Sequence, residues 1–239
     1  MATARRVRER DSGLTLTASL LALAAVAWAL SAERMSGMDM GPGTELGGLG
    51  GFVVTWVLMM AAMMLPSLAP AARASGRAAA FVAGYLGVWS GAGVAAYAVV
   101  EGVRLQDLGW LAWDRAGRYV AAGVILAAAA YQLTPAKAGC LRRCRHPAVS
   151  GPGLASALRD GVRHGGFCVG CCWALMAALF ALGAMSLVWM ALIGALITAE
   201  RLLPQRAMAV TGVAVVLAAL ALGVALSPGD VPGLTVPSS

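Results

Sequence analysis

All five cysteines and both histidines of this 239-residue chain fall between positions 140 and 172. Cys140 and Cys144 stand just before His146 in a basic stretch. His164-Gly-Gly-Phe-Cys168-Val-Gly-Cys171-Cys172-Trp173 opens a long apolar run. On a helix His164, Cys168, Cys171 and Cys172 occupy i, i+4, i+7 and i+8. At about 100° per residue these positions share about a third of the circumference. Cys140 and Cys144 are again i, i+4, so one face of each segment would offer thiolates to a common ion, with His164 as an accessory ligand. Thiolates select soft or borderline metals: Cu(I), zinc, or the iron of Fe–S centres. Any one of these cysteines, taken alone, is better explained as a small packing residue. The density and spacing of the whole set point instead to metal or redox chemistry. S-palmitoylation would account for Cys171-Cys172 but not for the histidines.

Methionines form a second pattern. Met59, Met60, Met63 and Met64 make two i, i+4 pairs inside one apolar run, and Met176 continues the cysteine face. Thioethers are soft and neutral, so they suit Cu(I) as a relay without the penalty of a buried charge. Methionine also packs well, and taken alone this group reads as core before it reads as a relay. Met35, Met38 and Met40 lie with Asp39 in a short polar stretch. Three thioethers and a carboxylate form a platform where soft metal enters, or else an amphipathic cap on a membrane surface.

The elements that must position these groups follow from composition. The chain is 60% hydrophobic and 12% charged, with mean hydropathy +0.78; soluble domains carry about 25% charged residues. So little polar surface cannot face water all round, whereas a bilayer removes that requirement. The net charge of +7 is spread over short loops, which argues for topology signals and lipid headgroups, not nucleic acid. Apolar runs cover 12–32, 46–72, 78–100, 119–136, 165–199 and 207–226. A spanning helix needs about 20 residues. The fifth run has 35, which as one helix would exceed ~50 Å, so it splits near Gly183-Ala184-Met185-Ser186. The expectation is an all-α polytopic membrane protein, a bundle of about seven transmembrane helices, or six if that run is one long tilted helix.

The first run follows a basic segment and is too long for a signal-peptide core, which favours a retained anchor. Seven spans with the N-terminus inside place 14 of the 18 basic residues in the cytoplasm, as the positive-inside rule requires. Arg34, Arg104, Arg115 and Arg118 remain outside. The expected organisation is a cytoplasmic basic N-terminus (1–11), a transmembrane helical domain (12–226) and a Pro/Gly/Ser-rich disordered tail (227–239), in the inner (cytoplasmic) membrane. The thiols then face a reducing compartment and stay free of disulfides. Pro66 removes the helical partner of the residue 62 carbonyl and predicts a kink beside Met63. Gly84, Gly87, Gly91 and Gly93 predict close helix packing. There is no catalytic triad, phosphate-binding loop, dinucleotide fingerprint or paired intramembrane carboxylate; Glu101 and Glu200 sit at span ends. A nucleotide-driven pump is therefore not expected within this chain, nor a transporter driven through buried acids.

Trp56-Val-Leu-Met-Met-Ala-Ala-Met-Met-Leu-Pro66-Ser-x-x-Pro70 resembles the signature of a family of predicted metal-binding integral membrane proteins, a domain of unknown function whose members are in part labelled copper chaperone. Tyr131-Gln-Leu-Thr-Pro-x-Lys137 with Cys140 and Cys144 is similar to its second motif. His164 to Met176 and Met185-Ser-Leu-x-Trp189-Met190 are similar to its third. The Met35–Met40 stretch is also typical, and the resemblance covers roughly residues 35–205. Ser186 and Arg201 stand where Asn and Lys are expected. The resemblance implies a metal, copper first, with zinc or iron as alternatives. The leading reading is a soft-metal binding, transfer or chaperone protein, with a lipid bilayer around it and a metalloenzyme or its assembly factors as partner. An alternative is a membrane-bound thiol or metal-dependent redox enzyme; non-enzymatic handling is favoured over catalysis. A third is a helical subunit clipped by zinc.

Overall fold

Every apolar run is helical in the structure, a computed structural model that describes residues 2–35, 46–106, 113–183, 186–204, 206–231 and 234. The helices are α1 (Ala2–Met35), α2 (Leu49–Ala74), α3 (Ala78–Arg104), α4 (Arg118–Gln132), α5 (Pro135–Arg145), α6 (Leu154–Gly183), α7 (Leu187–Leu202) and α8 (Arg206–Leu226). A π-helical turn, Trp113–Gly117, leads into α4. No strand occurs among the described residues. The break expected inside 165–199 is present. Gly183 has φ 112°, a conformation that favours glycine and ends α6 there.

The basic stretch after α4 is not the loop expected from its charge. Pro135 lacks an amide hydrogen, which stops α4 and suits the first position of a new helix. The Thr134 hydroxyl caps that helix by accepting from the Lys137 amide at 3.3 Å. The two axes bend by 67°. α6 begins ten residues before His164, so the histidine lies inside the helix, not at its start.

Length modifies the span count. Among the described residues, five helices are long and apolar enough to cross a membrane: α1 from Gly13, α2, α3, α6 and α8 from Ala207. α4 with α5 makes a sixth if the bent pair is one span. α4 has 15 residues and α7 has 16, about 22–24 Å of helix against a hydrocarbon core of roughly 30 Å. α2 runs unbroken through Pro66 and Pro70. In the tail, Pro228–Asp230 form a single 3₁₀ turn and Val231 is buried against Gly223; 232–233 and 235–239 lie outside the described residues.

Glycine sets how α3 and α6 meet. A Cβ on Gly161 would collide with the Phe81 carbonyl, and one on Gly84 with the Leu158 carbonyl. A Cβ on Gly165 would stand 3.1 Å from the Tyr85 carbonyl oxygen. The two backbones therefore touch, as small residues permit in apolar surroundings. Gly93 makes room for the Trp56 indole, which donates to the Trp89 carbonyl at 2.8 Å. Gly87 and Gly91 face open space and do no such packing. α1 lies along α2, and α8 along α4. Arg145 donates to the carbonyls of Glu200 at 3.1 Å and Leu203 at 2.8 Å. With the Gly161–Phe81 contact, this gathers the α2–α3 turn, α5, the start of α6 and the end of α7 at one basic end of the bundle.

Candidate metal centre

Helical spacing brings Cys168, Cys171 and Cys172 together on one face of α6. Their Sγ atoms all lie within 4.8 Å of one another, and all three residues are buried. Cys171 Sγ is 3.4 Å from Cys172 Sγ. A fourth thiol arrives from a different helix: Cys144 of α5 places its Sγ 3.7 Å from that of Cys171. Cys140 is half-buried beside Gly170, where a Cβ would lie 2.8 Å from its sulfur. The Tyr131 hydroxyl donates to the Gly170 carbonyl at 2.6 Å, so the missing side chain at 170 lets both α5 and α4 approach. All five cysteines are free thiols. Thiolates around one tetrahedral ion with bonds of about 2.3 Å stand roughly 3.8 Å apart. The observed sulfur separations are of that order, so the donor set fits a thiophilic ion with little movement.

His164 is not part of the sulfur cluster. Its ring packs against Phe81 (centroids 5.5 Å apart) and Tyr85 (5.8 Å), one turn before Cys168. It also lines a polar cavity of about 70 Å³ with Arg143, His146, Asp160, Arg163 and Phe167. Asp160 accepts from the Ser150 amide at 2.8 Å and from its hydroxyl at 2.5 Å, which ties the segment after α5 across α6. His146, outside the expected ligand set, thus shares a cavity with His164.

Met59, Met60, Met63 and Met64 are all buried. Gly194 of α7 leaves space for Met63, whose Cγ would be 3.2 Å from a Cβ there. Met176 is buried and borders an apolar groove of about 900 Å³ that also touches Trp56, Trp89, Trp113 and Trp173. Met35 is buried at the end of α1. Met38, Met40 and Met185 lie outside the described residues.

Three further groups touch or flank the thiols, and their roles were not expected. Arg201 of α7 donates from its guanidinium to Cys168 Sγ, to Cys172 Sγ at 3.7 Å and to the Ser67 hydroxyl at 2.8 Å. The Tyr85 hydroxyl is 2.9 Å from Cys168 Sγ. Lys137 Nζ donates to Glu200 Oε2 at 2.7 Å with both side chains buried, so Glu200 is no exposed span end. The sequence carries a signal for these: Lys137 is the only lysine in the chain, and Glu200-Arg201 closes an otherwise uncharged run. Neither fact names a partner.

The sequence profile of a family described as copper chaperone, PpoB2, matches residues 53–224, well over half of the chain. The chain belongs to the PpoB2 copper chaperone family. No curated protein and no solved structure matches it. The part of the chain shared with PpoB2 runs from the first turns of α2 to the last of α8. It therefore includes all five cysteines, His164, Tyr85, Ser67 and Arg201, and leaves α1 with Met35 outside. A buried cluster of three cysteines in a copper chaperone family fits metal binding.

Proposed function

We propose that this chain is an integral protein of the cytoplasmic membrane, N-terminus inside, that binds Cu(I) as cargo on its thiols and passes it on. The observation that carries the reading is the buried sulfur triad of Cys168, Cys171 and Cys172 with Cys144 in contact from α5. One helix alone would make a static site. A fourth donor on a second helix makes an exchange site, because an ion can bond Cys144 Sγ before it leaves Cys168. Cys171 is the exchange donor, since it touches both Cys172 and Cys144. One metal–sulfur bond forms as another breaks, and no electron moves. Cys140, at the half-exposed edge, is the next thiol outward.

The buried methionines of α2 supply the opposite direction. They end one turn from Ser67, whose hydroxyl donates to the Met64 carbonyl at 3.0 Å and accepts from Arg201. A soft ion taken from the far side by Met35, Met38 and Met40 would follow Met59–Met64 toward the thiols. The cavity shared by His146 and His164 offers an imidazole-lined way out at the basic end. Thioethers favour Cu(I) over zinc, and the family description points the same way. The receiver would be a metalloenzyme or its assembly factors. The rival reading, a thiol or metal-dependent redox enzyme, draws on the same Cys144–Cys171 contact and requires turnover with an electron acceptor such as a quinone.

The test is metal content of the protein purified in mild detergent. Wild type should carry copper in preference to zinc or iron. Cys168→Ser removes a holding thiol and Cys171→Ser the thiol through which the ion is exchanged, so each should reduce the copper loaded, and the double variant should lose nearly all of it at undiminished yield. Unchanged stoichiometry in the double variant would leave these cysteines as packing residues.

A further inference from the structure

Arg201 is buried in the bundle, and among the described residues no carboxylate lies within ion-pair distance of its guanidinium. Its partners are two sulfurs and the Ser67 hydroxyl, while its Nε has none. A buried charge without a counter-charge costs several kcal/mol, and hydroxyls alone do not cancel it. The neighbouring Glu200 carboxylate is already paired with Lys137, and the anions in direct contact with the guanidinium are the thiolates that a bound ion would require of Cys168 and Cys172. Ser67 holds one end of the fork, so the guanidinium is aimed at the sulfurs by a residue of α2. The Tyr85 hydroxyl, 2.9 Å from Cys168 Sγ, is positioned to add a second donor to the same sulfur.

We infer that Arg201 is the counter-charge of the metal centre, the positioning residue that makes it a two-thiolate site for a monovalent ion. This rests on the metal reading above and goes beyond it. Two thiolates, one Cu(I) and one guanidinium sum to zero. A third thiolate would leave the assembly at −1 among Leu175, Leu179 and other apolar side chains, where an uncompensated charge is expensive. Cys168 and Cys172, the two sulfurs that Arg201 touches, are the holding pair. Cys171, which Arg201 does not touch, is left free to begin exchange with Cys144. A neutral loaded site also suits a carrier, because the ion is not trapped by surplus negative charge.

The inference is tested by Cu(I) affinity, measured by competition with a chromophoric Cu(I) chelator, in wild type, Arg201→Gln and Arg201→Lys. Gln keeps polarity and approximate size but removes the charge, and affinity should fall at least tenfold. Lys keeps the charge and should stay within about threefold of wild type. A wild-type affinity for Arg201→Gln, or an Arg201→Lys variant as weak as Arg201→Gln, overturns the role of charge. Should Arg201→Gln fail to fold, wild type still decides the matter by X-ray absorption at the copper edge. Two sulfur neighbours are expected, and three or more contradict the two-thiolate site. Failure of the underlying reading looks different. Wild type that takes up no copper, or a Cys168→Ser/Cys171→Ser variant that keeps its full copper, removes the centre itself and this inference with it.

Discussion

Methionine and leucine are close in size and polarity, and only methionine carries a sulfur, which makes the α2 methionines separable as ligands and as core. Met59, Met60, Met63 and Met64 are all buried, yet ~100° per residue spreads them over more than one face, so not all can line one path. Met→Leu in a packed site usually costs under about 1.5 kcal/mol. The quadruple Met59→Leu, Met60→Leu, Met63→Leu, Met64→Leu variant should therefore insert and fold. If the methionines relay Cu(I), it should load its thiols several-fold more slowly from copper supplied outside oriented vesicles. Loading at the wild-type rate would leave the four as core. Met60 and Met64, the most deeply buried of the four, are favoured slightly over Met59 and Met63.

Between elements, the α3–α6 contact decides whether Tyr85 reaches Cys168. In an open helix position Gly→Ala gains up to about 1 kcal/mol of helix propensity. At Gly161 the same change drives a methyl group into the Phe81 backbone, and no rotamer change relieves a clash with backbone. Overpacking of this kind costs about 1–3 kcal/mol. Gly161→Ala should lower the thermal midpoint in detergent and weaken metal binding, because the helices must separate to accept it. Gly87→Ala, in the facing helix α3 but at a position that meets open space, should leave both unchanged or raise the midpoint slightly. Equal effects at the two positions would mean that helix flexibility, not close approach, sets the contact.

The whole molecule is polarised. Arg73, Arg77, the basic residues of α5, Arg159, Arg163 and Arg201 gather at one end of the bundle, and the thiol centre lies nearer that end than Trp56 and Met35 do. The positive-inside rule assigns such an end to the cytoplasm. A reporter active only outside the cytoplasm should work when fused after Val100 or at Ser239, and should be silent at Arg145. Activity at Arg145 would invert the bundle and place the thiols in an oxidising compartment. α7 is shorter than the five or six helices long enough to cross, yet its end lies beside α5 at the basic end, so it returns the chain there and α8 leaves toward the far side. The Lys137–Glu200 pair and the Arg145 bonds fasten the end of α7 to α5. That attachment keeps Arg201 beside the thiols.

Local spacing alone settled the helical class, the break near Gly183, the α6 face that carries Cys168, Cys171 and Cys172, and the i, i+4 pairing of Cys140 with Cys144. Each depends on contacts within a turn or two of one helix, which a fixed rise and rotation make readable. Hydropathy also located every apolar run, although it measures apolarity and not where a helix stops. Pro135 and Gly183 cut α4 and α7 shorter than a membrane requires, so of seven expected spans five or six are helices long enough to cross. What joins different helices was not legible. Tyr85 meets Cys168 across 83 positions, Arg201 meets Ser67 across 134, and Lys137 meets Glu200 across 63. Such pairs exist only once glycines have set how closely and at what angle the helices pack. For the same reason His164, on the predicted ligand face, turned toward Phe81 and the polar cavity. Cys144, expected among the thiols, reaches Cys171 through the bend at Pro135, a contact that spacing within one helix could not show.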